Sequence, residues 1–428
     1  MFLPASDLTP INENIDIFVE GLTKWEPEVK EKGIYPKANV EVEGKDYEEA
    51  VANMNHLFLR NYWSDGLPLL PATEERVNRI LTGTDLSPDT RIGNIMPKAG
   101  IATVKDIAVA LAMAGGRPEH LPVLIAVVEC IVVPEFWTRS WNSTTNNPTP
   151  VVIVNGPIAK QIRLNSGYGC LGPSPLYPAG GGIGRALRLI LQDIGGAIPG
   201  LGTMAIHGMG SRYANLVFAE DEDSVPEVGW APLSVERGFA PGENAVTLHI
   251  VLSEITLSSL FKTTTDEDAL KTMTGWARIM RTPRIQQPYG KVYNPEGAPG
   301  ILLVAPLTAA GFADRGWSKA DVREWLWEAT TLTPSEVEEY GFEGTTLGGG
   351  TKYPATSHPA GLPLPLCVSP DNIMMVVAGG VQSGHGFWMG TMTHTEVVQS
   401  KEIVLPAEAQ WDALLEQAEE ELGPVPTL

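Results

Sequence analysis

Cysteine and basic side chains are scarce in this chain. Its 428 residues include three cysteines, Cys130, Cys170 and Cys367, which are widely spaced. This number argues against a disulfide framework or a cysteine-rich zinc site and fits a reducing compartment. The 30 basic side chains are outnumbered by 51 acidic ones, so the formal net charge of −21 repels nucleic acid and anionic lipid. An anionic ligand therefore requires a local basic pocket.

Targeting and membrane signals are also missing. The N-terminal sequence MFLPASDLTPINENID has neither the positive leader nor the apolar core of a secretory signal. The most apolar stretch, Leu121 to Trp137, is interrupted by Pro122, Glu129 and Pro134, which favours a buried helix or strand. No Walker A sequence or dinucleotide fingerprint occurs. We expect a cytoplasmic protein with no nucleotide cofactor and no nucleic-acid or membrane partner.

Apolar periodicity predicts an α/β fold, with mixed or parallel sheets covered by helices. Hydrophobic residues make up 43% of the chain, an ordinary composition for a globular protein. Its length suggests two intimately packed lobes. We divide it into an N-terminal arm (1–46), a first α/β lobe with a glycine-rich anion-binding turn (47–260), and a second α/β lobe with a C-terminal helix (261–428). Thr73 and Ser318 are expected to cap helices.

A glycine-rich turn followed by a helix is the most informative feature. Gly180, Gly181 and Gly182 precede the helical apolar spacing of Ile183 to Ile194. The start of a helix attracts anions, and Arg185 and Arg188, one turn apart, can add charge-assisted hydrogen bonds. The alternative is a core helix with solvated arginines. The candidate substrate-binding residues here are Gly181, Gly182, Arg185 and Arg188.

Cys170 lies just before this turn and is a candidate catalytic residue. A helix dipole and nearby arginines can lower a thiol pKa and populate the reactive thiolate. A lone cysteine can equally be a small buried apolar residue. No C-x-x-C sequence is present, so the usual resolving thiol is missing.

Polar residues at the ends of predicted strands supply acid–base candidates. Glu220 follows the strand-like run Leu216 to Ala219 and is a candidate catalytic residue, while Asn155 ends another run and is a candidate substrate contact. His207 and His385 are flanked by glycine, and we assign them a catalytic and a substrate-binding role. Solvated loops, turn chemistry and structural histidines are the alternatives. No cofactor is predicted, and a divalent metal is left open.

Several sequence blocks resemble a known family. WSDGLPLLPATEERV, AMAGGRPEHLPVLIAVVE, IVNGPIA, GGGIGRALRLILQDIGGAIPG, FAEDED with VERGF, and GWSKADVREWLWE are similar to the larger component of a bacterial family found with UGSC or CGSC proteins. Those partners carry a selenocysteine or cysteine and resemble part of the glycine reductase selenoprotein. The resemblance covers about residues 60–390. It implies redox or thiol-assisted chemistry on a small molecule, with the selenol or thiol supplied by a CGSC- or UGSC-type subunit.

Two departures from that family bear on this implication. The chain contains no UGSC or CGSC sequence, so the nucleophile would come from a partner. The loop APLTAAGF after Val304 lacks the histidine expected there, which places an acid–base role of that loop in doubt.

Three functions remain open at this point. The leading hypothesis is an oligomeric enzyme or enzyme subunit that acts on a small anionic or polar substrate with a partner's thiol or selenol. The second is a self-contained lyase or hydrolase that uses Glu220 and His207, with or without a metal. The third is a non-catalytic binding or scaffold subunit.

Overall fold

The computed structural model describes residues 9–24, 39–146, 148–281, 298–339, 346–347, 356–357, 361–391 and 397–424. Residue contacts divide the chain into two units, Met1–Glu43 and Gly44–Leu428. The first contains helices α1 (Thr9–Glu13) and α2 (Ile15–Thr23). Its boundary lies close to the predicted end of the arm at residue 46. The predicted division at residue 260 falls inside the second unit.

Helices surround the sheet of the second unit, and several begin at side-chain caps. The Thr73 hydroxyl accepts a hydrogen bond from the backbone N–H of Arg76, and Ser318 accepts one from that of Asp321, as predicted. The described α-helices are α3 (Tyr47–Arg60), α4 (Glu74–Leu81), α5 (Val104–Met113), α6 (Leu121–Ile131), α7 (Thr138–Trp141), α8 (Ile158–Gln161), α9 (Ala179–Leu189), α10 (Ser211–Ala214), α11 (Ser224–Glu227), α12 (Leu233–Glu236), α13 (Asp266–Met280), α14 (Pro306–Ala313), α15 (Lys319–Thr330), α16 (Pro334–Glu339) and α17 (Glu408–Leu422). A wider π-helical turn, Ile190–Ile194, extends α9.

The strands form one large mixed sheet and two small hairpins. In chain order they are β1 (Arg91–Ile95), β2 (Gly100–Thr103), β3 (Thr149–Asn155), β4 (Leu216–Ala219), β5 (Ala245–Ser258), β6 (Gly300–Val304), β7 (Thr346–Leu347), β8 (Thr356–Ser357), β9 (Met374–Val377), β10 (His385–Thr391) and β11 (Gln399–Glu402). The large sheet has the order β4-β3-β5-β10-β6-β9, and β11 also pairs with β5. β1 pairs with β2, and β7 with β8. This mixed sheet with surrounding helices confirms the predicted α/β class.

The large sheet consists of two copies of one strand arrangement. In the first half, β3 and β4 are parallel neighbours and β5 runs antiparallel beside β3. In the second half, β6 and β9 are parallel neighbours and β10 runs antiparallel beside β6. The halves join where β5 and β10 pair antiparallel. The sheet therefore has an approximate internal two-fold symmetry.

The sheet is curled, and its two outer strands meet. The backbone N–H of Asp221, just after β4, donates to the carbonyl of Val377 in β9 at 2.8 Å. In return, the N–H of Val377 donates to Oε1 of Glu220 at 3.4 Å. The curl therefore brings the carboxyl ends of β4 and β9 together, although these strands lie at opposite edges of the pairing order.

Alternating side chains divide the core into a concave cluster inside the curl and two outer clusters. In β3, Val151 and Ile153 lie in the concave cluster, whereas Val152 and Val154 join the first outer cluster with α5, α6 and α9. The second outer cluster packs α13, α14 and α15 on β6 and β9. Trp411 of α17 belongs to the first outer cluster, so the C-terminal helix packs on the first half of the sheet rather than on the second.

No single helix in the described part of the chain is long and apolar enough to cross a membrane. Pro118–Ile131 and Pro134–Trp141 pass the same test only as a pair, which is bent by 80° at its break.

Candidate functional site

Glu220 lies at the point where the curled sheet closes. The alternation that places Leu216 and Phe218 in the concave cluster puts Glu220 on the same side, and the residue is only 3% exposed. Its Oε2 accepts hydrogen bonds from Asn155 Nδ2 at 2.8 Å and from the N–H of Leu233 at 2.7 Å. Burial raises the pKa of this carboxyl, while the charge of Lys319 and the N–H donors oppose the rise. The group is thus biased toward its protonated form.

Asn155, the last residue of β3, is in direct contact with Glu220. Its Nδ2 also donates to Oε1 of Glu222 at 2.6 Å, and its buried Oδ1 has no hydrogen-bond partner. The next residue, Gly156, has a φ of +93°, which only glycine adopts easily. The structure therefore brings together two of the predicted site residues, Asn155 and Glu220, through adjacent parallel strands.

A cavity of about 330 Å³ opens beside Glu220. Its apolar lining comes from Leu233, Ala298, Met374 and Val398, which belong to the concave cluster. Leu233 also donates its backbone N–H to Glu220, so this one residue separates the carboxyl from the cavity. The polar lining residues are Glu236, Arg237, Arg323, Asp371 and Asn372.

Cations from both halves of the sheet meet at this cavity. Arg323 Nη2 and Lys319 Nζ donate to the same Glu236 oxygen, at 2.6 and 3.1 Å. The hydrogen-bond partners of Arg237 among the described residues are neutral: Ser400 Oγ at 3.1 Å and the carbonyl of Val398 at 2.8 Å. Arg323 and Lys319 thus share the negative charge of Glu236, whereas Arg237 has no acidic hydrogen-bond partner in the described part of the chain.

These cavity residues were not among the candidates predicted from the sequence. One signal was present, because Lys319 and Arg323 are four residues apart and so lie on one face of a helix. Their joint acceptor, Glu236, is more than 80 residues away in sequence. No local pattern identifies that partner.

Cys170 lies in the concave cluster and is only 6% exposed. Burial raises the pKa of its thiol to about 12, and the nearby backbone donors offset this only in part. The thiol is therefore protonated at neutral pH. Cys130 and Cys367 are buried as well.

The predicted glycine-rich turn forms the first turns of α9, and its glycines serve close packing. A Cβ at Gly180 would lie 2.6 Å from the carbonyl oxygen of Val217, and one at Gly184 would clash with the carbonyl oxygen of Ala214. A Cβ at Gly182 would lie 3.5 Å from Nδ1 of His120, whereas Gly181 has its nearest neighbour at 3.7 Å. α9 thus packs directly against the backbone at Val217 and at Ala214.

The arginines of α9 contact protein groups. Arg185 forms a bidentate pair with Asp65, with Nε–Oδ2 and Nη2–Oδ1 distances of 2.9 and 3.1 Å, and the Asp65 side chain is fully buried. Arg188 donates to the carbonyl of Ala197 at 3.3 Å and to Gln192 Oε1 at 3.1 Å.

The two predicted histidines lie in different regions. His207 is exposed, in the loop before α10. His385 begins β10, and its Nδ1 lies 3.2 Å from the carbonyl oxygen of Ser383.

Ala378 occupies the position in the second half of the sheet that Glu220 occupies in the first half. The N–H of Glu220 donates to the carbonyl of Val154, and the N–H of Ala378 donates to the carbonyl of Val304. The second half therefore has no carboxyl group at this position.

The two ends of β3 contact different groups. Asn155 and Glu220 lie at its carboxyl end, whereas Thr149 at its amino end contacts Ser211, the neighbour of Arg212. Six residues of strand span roughly 20 Å. Glu220 and the segment that carries Arg212 therefore lie at opposite ends of this strand.

Among the described residues, no group of three or more His, Cys, Asp or Glu side chains is arranged to hold a metal ion. No protein-family model, curated protein or solved structure matches this chain.

Proposed function

We propose that this chain is an enzyme, or a subunit of one, that acts on a small organic acid bound in the cavity beside Glu220. One observation carries the proposal. Arg237, whose hydrogen-bond partners among the described residues are neutral, lines the same cavity as Leu233, and the buried carboxyl of Glu220 lies directly behind Leu233. Concave apolar pockets with a few convergent polar groups and a perturbed acid are typical of substrate sites.

The cavity suits a small molecule with one anionic end. Arg237 would bind the carboxylate, and Leu233, Met374 and Val398 would contact the apolar body. A volume of about 330 Å³ lies at the small end of the usual range for ligand pockets. The substrate is therefore expected to be a compact acid.

Glu220 would act as the proton carrier. Burial favours the protonated form of this carboxyl, and its proton would reach a substrate once the Leu233 side chain moves aside. Lys319, which acts electrostatically on Glu220, would stabilise the carboxylate left after transfer. Asn155 and Leu233 would hold Oε2 in place throughout.

A thiol- or selenol-assisted variant of this reaction would take its nucleophile from another chain. All three cysteines are buried, and burial raises the pKa of both Cys130 and Cys170 to about 12. A CGSC- or UGSC-type subunit would supply the group. Copurification from the native host tests this variant, which fails if the isolated chain is active with no such subunit attached.

Ligand-observed NMR with butyrate, isovalerate and benzoate, each beside its neutral amide, tests the site. We expect the acids to bind and the amides to bind far more weakly, because the amides lack the charge that Arg237 pairs. Arg237→Gln should remove this preference. Arg60→Gln, at the exposed end of α3, is the matched control and should keep it.

A second measurement separates binding from proton transfer. In butyrate and isovalerate, deuterium exchange from D₂O into the bound acid would break a Cα–H bond and form a Cα–D bond, with the ionised form of Glu220 taking the proton and, after exchange with D₂O, returning a deuteron. Glu220→Gln should retain acid binding and lose this exchange. Equal binding of acids and amides by the wild type, or unchanged exchange in Glu220→Gln, would contradict the proposed function.

A further inference from the structure

Arg212 is a buried cation with unused hydrogen-bond donors. The residue is 6% exposed, and its Nη2 donates to Asn142, at 3.0 Å to Oδ1 and 3.4 Å to the carbonyl oxygen. Its Nε and Nη1 are buried and have no acceptor among the described residues. Buried polar groups nearly always have partners, and an unpaired buried charge is costlier still. This arrangement calls for an acceptor that the described part of the chain does not provide.

The charges around Arg212 do not balance. Asp65 pairs with Arg185, and Asp193 acts electrostatically on Arg188. Burial and, to a smaller extent, the positive charge of Arg188 together lower the pKa of Arg212 to about 10. The charged group that acts on Arg212 is another cation. Arg212 is thus still charged at neutral pH. A water molecule would satisfy its donors but would leave the positive charge uncompensated.

The loop 197–206 connects the surroundings of the two arginines. Arg188 donates to the carbonyl of Ala197 at 3.3 Å, where the loop 197–206 begins. That loop returns to the Arg212 side, because the N–H of Met204 donates to the carbonyl of Ser143, next to Asn142. Thr203 in the loop has a buried hydroxyl with no partner in the part of the chain that the structure describes. The same loop that contacts Arg188 thus carries a further unused polar group.

We propose that Arg188 and Arg212, covered by the loop 197–206, form a second ligand site that binds a small oxyanion, either inorganic phosphate or the carboxylate of a metabolite. Guanidinium groups bind such oxyanions by paired, charge-assisted hydrogen bonds. This site is separate from the cavity beside Glu220, because the two lie at opposite ends of β3. It does not depend on the function proposed for that cavity.

Thermal unfolding in an oxyanion-free chloride buffer, with phosphate or acetate added at constant ionic strength, tests the site. The Tm of the wild type should rise with phosphate, acetate or both, because a ligand that binds only the folded state stabilises it. Arg212→Met should show no rise with phosphate and, with acetate, only the rise that the intact cavity beside Glu220 produces. Its Tm without added oxyanion should equal or exceed that of the wild type. In the Arg237→Gln background, which removes acid binding by that cavity, a preference for phosphate over acetate identifies phosphate as the ligand, and the reverse identifies a carboxylate.

Arg237→Gln is the control that separates the two sites. It disables the cavity proposed to bind organic acids, and it should retain the full phosphate response of the wild type. If it loses that response while Arg212→Met keeps it, the oxyanion binds in the cavity and the second site is refuted.

Direct binding covers the case in which Arg212→Met does not fold. Calorimetry with the favoured oxyanion should then show binding to the wild type and affinity lower by about tenfold or more in Arg212→Gln. A wild type that binds neither phosphate nor acetate, or an Arg212→Gln protein with unchanged affinity, would overturn the proposal.

Discussion

Replacement of Arg185 should destabilise the fold because the residue neutralises a buried carboxylate. Arg185→Met leaves the side chain of Asp65, which is fully buried, without its bidentate partner. Breaking a buried pair by removing one partner costs about 3–5 kcal/mol. Asp65 keeps one hydrogen bond, from the N–H of Leu67 at 3.0 Å, so we expect the low end, about 3 kcal/mol. That is a large share of the usual stability of about 5–15 kcal/mol.

Replacing Asp65 by a neutral residue distinguishes the loss of the ion pair with Arg185 from a general loss of packing. Asp65→Asn retains an acceptor for the N–H of Leu67. It also removes the negative charge that would be left buried and unpaired when Arg185 is replaced. The double variant Asp65→Asn/Arg185→Met should therefore be about 2 kcal/mol more stable than the sum of the two single losses implies. Arg185→Lys keeps the charge but not the fork, and it should cost about 1 kcal/mol.

Urea unfolding followed by tryptophan fluorescence, with linear extrapolation, measures these free energies. Additive losses within about 0.5 kcal/mol would refute the pairing argument. So would an Arg185→Met protein as stable as the wild type. If that stable variant had also lost the binding of small anions, Arg185 would be a ligand contact, as the sequence predicts, rather than a structural one.

Two further predictions concern α9 and the turn that it contacts. Gly184→Ala places a methyl group against the carbonyl of Ala214 and should cost about 1–3 kcal/mol by urea unfolding. Gly181→Ala makes only an ordinary contact of 3.7 Å with Pro173 and should be neutral or gain up to about 1 kcal/mol; equal effects would contradict the packing argument. Burial lowers the pKa of His120 from 6.5 to about 4. As the pH falls from 6.5 toward 4, the unfolded chain therefore binds a proton at His120 that the folded chain does not, and the free energy of unfolding decreases. The loss amounts to roughly 3 kcal/mol, and His120→Asn, measured by urea unfolding at pH 7 and pH 4.5, should lose less stability over this range than the wild type.

Local chemistry made part of this structure predictable from the sequence. Thr73 and Ser318 cap helices because a hydroxyl at that position satisfies an N–H group of the first turn. Asn155 and Glu220 meet because one ends and the other directly follows one of two parallel strands, whose carboxyl ends lie at one edge. The caps depend only on sequence neighbours, and the contact between Asn155 and Glu220 depends on one pairing rule.

The remaining features depend on contacts that are distant in sequence. Arg185 meets Asp65 across 120 residues, so its engagement with protein rather than ligand has no local signature. Cys170 looks like an activated thiol from its place before a helix start and two arginines, but it is buried in the concave cluster, and this burial raises its pKa. The cavity itself exists because the edges of β4 and β9 meet, which the strand pattern alone does not specify.

A crystal structure of the protein with its tightest-binding small organic acid tests the central claim most directly. The account predicts the carboxylate of that acid within hydrogen-bond distance of Arg237, with its apolar body against Leu233 and Met374. An acid bound elsewhere, with the cavity beside Glu220 left empty, would contradict it.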